Sequence, residues 1–213
     1  MNKMCRTNIQ SGRSMIEMLG VLAIIGVLSV GGIAGYSKAM MKFKINKTID
    51  QITQISQNVR TLYARQKSYK NISNKIIKKA NVAPNEIFEG SGSDYAMTNA
   101  FGGEIKITSS SKNIFGDNGA FLITYTNIPD EACIELATQD WGNTNSSGLL
   151  IIGIADVMAE GGGSISSDLC AGEGFKSGNN VYARPCAYSL PFPINVAVEL
   201  CSGNNNPISW RFF

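Results

Sequence analysis

The residue types that commonly carry enzyme chemistry are poorly represented in this sequence. None of the 213 residues is histidine, which excludes a Ser-His-Asp triad, a Cys-His pair and histidine-ligated zinc. Any catalysis would rest on carboxylates, cysteines or lysines. Lys176 and Ser177 have the residue types of a phosphate-binding loop, but Phe175 stands where that motif needs glycine. We interpret this stretch as an ordinary loop, and the sequence predicts neither an enzyme nor a cofactor site.

The cysteines could act either as thiolate ligands of a metal or as disulfides. The chain contains Cys5, Cys133, Cys170, Cys186 and Cys201. A zinc site built from four thiolates normally uses paired Cys-x2-Cys spacings, whereas the closest two cysteines here are fifteen positions apart. The spacing therefore favours disulfides and no metal, and the last four cysteines permit three different pairings.

A single acidic residue, Glu17, stands immediately before a long apolar segment. Residues 18–36 are nineteen consecutive residues without a charge, enough at about 1.5 Å per residue to cross the hydrocarbon core of a membrane. An ionised carboxylate at this boundary costs free energy unless it reaches the interface or finds a partner. Glu17 is therefore either an ordinary acid near a helix start, favoured by the helix dipole, or a residue with a specific partner.

A helix must carry this apolar segment, and the pattern that follows predicts that the helix continues. Apolar residues recur every three or four positions at Met41, Ile45, Ile49, Ile52, Ile55, Val59 and Leu62. The sequence thus predicts one helix of about 50 residues, apolar over its first half and amphipathic over its second. This continuation, without a small-residue cleavage site after the apolar run, argues against a conventional secretory signal peptide.

The rest of the chain has the patterns of a compact soluble α/β domain. Runs of apolar and β-branched residues predict strands at 104–108, 121–126, 149–154 and 208–213, the first two as an antiparallel pair. Helical spacing predicts helices over 71–80 and 129–141. Residues 193–201 fit a strand by their β-branched content or a helix by the position of Pro193.

Charge is distributed unevenly along the chain, although the net charge is only +3. Residues 1–12 carry +2 and residues 13–80 carry +10, whereas residues 81–213 carry −9. The small net charge does not favour a protein that binds duplex nucleic acid by neutralising phosphates. A basic front and an acidic back instead favour the stacking of copies of the chain on one another.

The stretch SGRSMIEML at residues 11–19, with the apolar run after it, resembles the prepilin signature of type IV pilins and type II secretion pseudopilins. In these families a membrane peptidase cuts after a glycine, and a glutamate occupies the fifth position of the mature chain. The resemblance implies cleavage between Gly12 and Arg13, loss of Cys5 with the leader, and an assembly role for Glu17. The new amino terminus is usually methylated in these families, and the resemblance leaves open whether this holds for Arg13.

Stretches of the predicted head resemble the type IVb branch of these pilins, in particular PilS-like pilins and toxin-coregulated pilin. They are NAFGG at 99–103 and FLITYTNIP at 121–129, followed by ACIEL at 132–136. In that branch a disulfide joins the helix after the second strand to a position near the carboxyl terminus. The resemblance therefore implies a bridge between Cys133 and Cys201 and, nested within it, one between Cys170 and Cys186.

The resemblance also implies the pilin fold, an α+β architecture in which a long amino-terminal helix packs on a globular head with an antiparallel sheet. It divides the chain into a leader (1–12) that is removed, an amino-terminal helix (13–65) with a transmembrane segment at about 15–36, and a head (66–213). The disulfide-bounded region of the head would be 133–201.

The implied function is that of a structural subunit, a major pilin that polymerises through its amino-terminal helix into a surface filament for adhesion, conjugation or motility. The precursor would span the inner membrane once, with a cytoplasmic leader and a periplasmic head, before it joins the extracellular filament. Its partners would be identical subunits, prepilin peptidase and the pilus assembly machinery. A type II secretion pseudopilin, a minor pilin and a membrane-tethered enzyme or binding module are the alternatives.

Overall fold

The described part of the protein opens with a long helix, α1, which spans the 49 residues Met15–Tyr63. The structure is a computed structural model that describes residues 14–66, 68–89, 95–110, 118–142, 144–154, 175–177, 180–183, 191, 193–203 and 205–213. The helix agrees with the single long helix that the apolar spacing predicts. The chain divides into two compact units, Met1–Lys42 and Phe43–Phe213, so the boundary between them falls inside α1.

The first part of α1 is exposed and apolar. Every residue from 14 to 39 is exposed, and an 18-residue window of α1 reaches a mean hydropathy of 2.2. Among the described residues, α1 is the one helix long and apolar enough to cross a membrane. The hydroxyl groups of Ser29 and Ser37 donate to the carbonyl oxygens of Ile25 and Ile33, at 2.7 and 3.0 Å. These polar groups are thus satisfied inside the helix, as an apolar environment requires.

The second part of α1 carries the predicted apolar stripe into the core. The completely buried members are Ile45, Ile52, Ile55 and Val59, while Met41 and Ile49 are half-buried. The prediction is wrong at its last position, because Leu62 is 40% exposed and Tyr63 is buried in its place. At 3.6 residues per turn, a face centred on positions 55 and 59 returns at 63, and position 62 falls at its margin.

In the described part of the chain, six strands form one sheet: β1 Ile105–Ser110, β2 Ala120–Ile128, β3 Leu149–Ile154, β4 Phe175–Ser177, β5 Asn180–Ala183 and β6 Asn206–Phe212. Their spatial order is β1-β2-β6-β3-β5-β4, and every neighbouring pair is antiparallel. This arrangement confirms the predicted antiparallel pair (β1 and β2) and the predicted α+β class.

The interpretation of Lys176 and Ser177 as a loop is wrong. Both residues lie in β4, where Lys176 is paired with Val181 and Ser177 with Asn180. A strand here depends on pairing with β5, and the composition of this glycine-rich stretch gave no signal for that pairing. The conclusion that it is not a phosphate-binding loop is unaffected, because the required glycine is still missing.

The described residues of the head also form four shorter α-helices: α2 Asn74–Lys79, α3 Asp130–Thr138, α4 Thr144–Ser147 and α5 Ile194–Leu200. α2 and α3 confirm the helices predicted within 71–80 and 129–141. α5 shows that the ambiguous segment is helical. The carbonyl oxygen of Pro193 accepts hydrogen bonds from the backbone N–H groups of Val196 and Ala197, both at 3.1 Å. A proline with its fixed φ is compatible with a helix start, and here it precedes the first turn.

Aromatic rings connect the end of α1 to the sheet. The ring centroids of Tyr63 and Tyr69 are 5.3 Å apart, those of Tyr69 and Phe121 are 4.8 Å apart, and those of Phe121 and Phe212 are 5.6 Å apart. Such pairs contribute about 0.5–1.5 kcal/mol each beyond the burial of their area. The core of the head therefore lies between the amphipathic part of α1 and the central strands β2 and β6.

The outer edge of β1 is closed by groups that do not belong to a strand. The side-chain amide of Asn74 donates from Nδ2 to the carbonyl oxygen of Ile105 at 3.0 Å, and its Oδ1 accepts the backbone N–H of Ile107 at 3.2 Å. The N–H of Ile105 donates to the carbonyl oxygen of Met97 at 2.7 Å. One side chain from α2 thus takes the place of a neighbouring strand at this edge.

Candidate functional site

The shifted pKa values in the described part of the chain belong to groups with structural roles. Complete burial raises the pKa of the Tyr125 hydroxyl. A hydrogen bond from Lys47, followed by one from Gln51, lowers the pKa of the Glu86 carboxylate, whose Oε1 lies 3.1 Å from Lys47 Nζ. These contacts join α1 to the short 3-10 helix at Asn85–Ile87. The described residues contain no cluster of three or more His, Cys, Asp or Glu side chains that could hold a metal ion.

Glu17 lies in the first turn of α1, where its carboxylate caps its own helix. The backbone N–H of Ser14 donates to Glu17 Oε2 at 3.2 Å, and the backbone N–H of Glu17 donates to the Ser14 carbonyl oxygen at 3.0 Å. Ser14 directly precedes the first helical residue, so this contact is the glutamate half of a capping box. The carboxylate thereby satisfies a backbone donor for which the helix itself has no acceptor.

The capping contact between Glu17 and Ser14 was not predicted from the sequence, although the sequence contains a signal for it. Ser-x-x-Glu immediately before an apolar run is a helix-start pattern, and Ser14 and Glu17 have that spacing. The predicted processing residues, Gly12 and Arg13, lie outside the described residues. The assembly role of Glu17 stays a prediction.

The apolar surface that the first part of α1 exposes is unusually large for a protein in water. Large apolar side chains of this part of α1 are between 47% exposed, at Met18, and 86% exposed, at Met15. Burial of apolar surface is favourable by about 25 cal/mol per Å², and soluble monomers rarely leave a continuous apolar patch of this extent uncovered. Exposure of this surface to water is unfavourable, so either lipid or other apolar helices must cover it.

A disulfide joins Cys133 in α3 to Cys201 directly after α5. The two Cα atoms are 5.8 Å apart and 68 positions apart along the chain. This is the pairing that the resemblance implies, and it encloses α4, β3, β4, β5 and α5. Cys170 and Cys186 lie outside the described residues, so the nested bridge stays a prediction.

The NAFGG stretch forms a turn held by one side-chain amide. Asn99 Oδ1 accepts the backbone N–H groups of Phe101 and Gly103 at 2.8 and 3.1 Å, and Nδ2 donates to the carbonyl oxygen of Thr126 at 2.8 Å. A Cβ atom at Gly103 would collide with that same carbonyl oxygen. The turn therefore needs glycine at this position, and it holds the start of β1 against the end of β2.

The chain is similar to known proteins in sequence and in fold. The sequence model of the family described as PilS N terminal matches residues 34–167. The major structural subunits of the bundle-forming pilus from Escherichia coli O127:H6 (strain E2348/69 / EPEC) and Escherichia coli O111:H- are each 26% identical over 144 residues, 67% of this chain and 72% of the relative. A crystal structure of type IV b pilin from Salmonella typhi has a TM-score of 0.52 at 18% identity, over 78% of this chain and 97% of that chain. The structural likeness shows the fold.

Proposed function

The chain belongs to the PilS N-terminal family of type IV pilins, and we propose that it is the major structural subunit of a type IVb pilus. Its activity is polymerisation into a filament rather than turnover of a substrate. The Escherichia coli relatives, which are major structural subunits of a pilus, support this proposal over a pseudopilin or a membrane-tethered enzyme. The pilin fold of the head supports it as well.

The observation that carries the proposal is the division of α1 into two parts of different character. The part after Phe43 is packed into the core of the head, with Ile45, Ile52 and Ile55 completely buried. Residues 14–39 are exposed throughout. Lipid covers the exposed part before assembly, and the helices of neighbouring subunits cover it in the filament. Because lipid and helices are both apolar, close packing of side chains and specific polar contacts must favour the filament.

Processing prepares the subunit for this transfer. In the proposed precursor, residues 1–12 face the cytoplasm, and prepilin peptidase cuts between Gly12 and Arg13. The new amino terminus carries a positive charge next to the apolar segment. The assembly machinery then moves the processed subunit from the inner membrane into the filament.

Glu17 supplies a polar contact that the subunit makes in the filament but not in lipid. In the single subunit its carboxylate accepts one backbone N–H, that of Ser14. In the filament the carboxylate neutralises the amino terminus of a neighbouring subunit. A charge pair of this kind is stronger in an apolar surrounding than in water, and it removes the cost of leaving either charge unpaired there.

The proposed function is tested by electron microscopy of cells with and without this chain. We expect filaments on cells that express the chain and none on cells from which its gene is deleted, with an antibody against the head labelling filaments along their whole length. Labelling confined to filament tips would indicate a minor subunit instead. Unchanged filaments on the deletion strain would contradict the proposal.

A second measurement tests the proposed topology. Basic residues flank the apolar segment on both sides, at Lys3, Arg6 and Arg13 and at Lys38, Lys42, Lys44 and Lys47. The number of bases therefore does not set the orientation. We expect alkaline phosphatase fused after residue 213 to be active, because that enzyme requires the periplasm. β-Galactosidase fused at the same position serves as the control and should be inactive, and the reverse pattern would contradict a periplasmic head.

A further inference from the structure

We propose that Phe43 and the turn Asn99–Gly103 lie on the lipid headgroups of the membrane before the subunit enters a filament. Both belong to the compact unit Phe43–Phe213. The proposal rests on the proposed function, because only a membrane-anchored precursor brings these residues to a bilayer. It extends the lipid contact beyond the uncharged part of α1, and it sets the depth at which α1 is held.

Phe43 is the last residue of the exposed apolar surface of α1. It is 59% exposed, and it follows the exposed Tyr36 by seven positions, so both lie on the same side of the helix. Asp50 and Gln57 follow at the same interval and are exposed and polar. The next exposed large apolar side chain of α1 is Leu62. An apolar cover is therefore needed as far as Phe43 and no further on this side.

The length of this surface agrees with the thickness of a whole bilayer. From Met15 to Phe43, α1 rises by about 42 Å, and a bilayer with its headgroups is about 40–45 Å thick. The uncharged residues 18–36 match only the hydrocarbon core, which is about 30 Å thick. Residues 37–43 therefore fall in the headgroup layer.

The residues of this short segment have the types that a headgroup layer favours. Lys38 and Lys42 are exposed, and a lysine near the end of a membrane helix extends its ammonium group toward the lipid phosphates. Aromatic side chains such as Tyr36 and Phe43 are common at membrane interfaces. No acid occurs between Glu17 and Asp50, so nothing in this stretch of sequence repels anionic lipids.

The turn Asn99–Gly103 reaches the same level along α1 as Phe43. Lys44, which directly follows Phe43, places its Nζ 5.7 Å from the centroid of the Phe101 ring. Phe101 is half-buried and Gly102 is exposed. This end of the compact unit thus presents two aromatic rings with a lysine between them, which suits a layer of phosphates above hydrocarbon.

A fixed depth at one end of the membrane helix sets the depth of the other end. Glu17 precedes Phe43 by 26 positions, which is about 39 Å of helix rise. With Phe43 in one headgroup layer, Glu17 lies in the opposite layer, where its carboxylate stays in contact with water. Phe43 therefore positions Glu17 in the waiting subunit, and Glu17 enters an apolar surrounding only when the subunit is extracted.

The test measures the depth of three exposed positions of α1 in vesicles of phosphatidylcholine and phosphatidylglycerol. The full-length chain, in a Cys5→Ser background, carries a bimane label at Leu28→Cys, Phe43→Cys or Leu62→Cys. The same chain without an added cysteine is the labelling blank. The vesicles contain a quenching lipid with its nitroxide either on the headgroup or deep in the acyl chain.

The three labels should give three different quenching patterns. At position 43 the headgroup nitroxide should quench at least about twofold more strongly than the acyl-chain nitroxide, because this residue lies in the headgroup layer. At position 28 the acyl-chain nitroxide should be the stronger quencher. Position 62 lies about 28 Å further along α1 than position 43, so neither nitroxide should quench its label.

A second arm removes the charges that hold Phe43 among the headgroups. Lys38→Leu/Lys42→Leu extends the uncharged segment to residue 43, so the label at Phe43→Cys should move inward and the acyl-chain nitroxide should become the stronger quencher. Lys75→Leu/Lys79→Leu is the matched control, because it removes the same charge from two exposed lysines of α2. It should leave the quenching pattern at position 43 unchanged.

Two results at position 43 would overturn the inference. Absence of quenching, as at position 62, would place Phe43 in water, and stronger quenching by the acyl-chain nitroxide in the chain with its lysines intact would place it in hydrocarbon. An unchanged pattern in Lys38→Leu/Lys42→Leu would also overturn it, because the lysines would then not hold this end of the span. Failure of the proposed function has a different signature, since the label at position 28 would then escape the acyl-chain nitroxide as well.

Discussion

Replacement of Glu17 by alanine is expected to lower surface filaments by at least about tenfold, because it leaves the amino terminus of a neighbouring subunit unpaired in an apolar surrounding. The head and the apolar surface of α1 are unchanged by this substitution, so the processed chain should accumulate as folded monomer in the inner membrane. Immunoblots of the sheared filament fraction and of the inner-membrane fraction from the same cells measure the two pools.

The structure provides a control that separates charge from helix capping. Glu17→Gln keeps a side-chain oxygen that can accept the Ser14 N–H but removes the negative charge. If charge pairing is required, Glu17→Gln should lose filaments as Glu17→Ala does. Recovery with glutamine would show that the capping contact is what assembly needs. Abundant filaments from Glu17→Ala would remove the electrostatic contribution and leave the apolar helix as the sole driver of assembly.

Gly12 serves as the control for the preceding step. A bulky residue at this position, as in Gly12→Leu, should block cleavage itself and leave a precursor of higher mass that still carries Cys5. The two variants therefore stop at different points, since Glu17→Ala should be processed normally. A processed Gly12→Leu chain would contradict the assigned cleavage point.

Loss of the Cys133–Cys201 bridge is expected to lower the free energy of unfolding of the head by about 2–5 kcal/mol, because the bridge closes a long loop and restricts the unfolded chain. The double variant Cys133→Ser/Cys201→Ser avoids a lone thiol that could pair with Cys170 or Cys186. Urea titration of the purified full-length chain in detergent, followed by tryptophan fluorescence, measures the change. Trypsin sensitivity of the head gives an independent measurement.

The matched variant Cys170→Ser/Cys186→Ser tests the nested bridge. A disulfide between these residues would close a much shorter loop, so its loss should destabilise the head less than loss of the outer bridge. Peptide mapping of the wild-type chain under non-reducing conditions should recover Cys170 joined to Cys186. A peptide with Cys133 joined to Cys170 or Cys186 would refute the nested pairing.

Patterns between residues close in sequence were sufficient to predict most of the fold. The three- and four-residue spacing through Ile45, Ile52 and Val59 marks α1, and alternation marks β1 and β2. The position of β6 between β2 and β3 was not predictable, because it depends on pairing between residues far apart in the chain. Residues 193–201 were ambiguous for a related reason, since the packing of α5 and the disulfide at Cys201 decide between two states that the local sequence permits equally.

The candidate site was predictable in its residues but not in its contacts. Glu17 was identified by its distance from Gly12 and by the apolar run, whereas its bond to Ser14 follows from the geometry of the first helical turn. The charges of α2 and α3 are visible in the sequence. Which of them point outward depends on the side of each helix that the head buries, and the sequence alone does not give that side.

The side-chain amide of Asn74 has a further consequence for a protein that exists at very high local concentration. In a filament, every subunit lies among many copies of itself, and an unpaired strand edge could add a strand from a neighbour and begin an aggregated cross-β structure. Asn74 occupies the outward hydrogen-bonding groups of Ile105 and Ile107, and Met97 occupies a third. Strand addition at this part of the β1 edge is therefore blocked, which favours ordered growth through the helices over strand exchange at this edge.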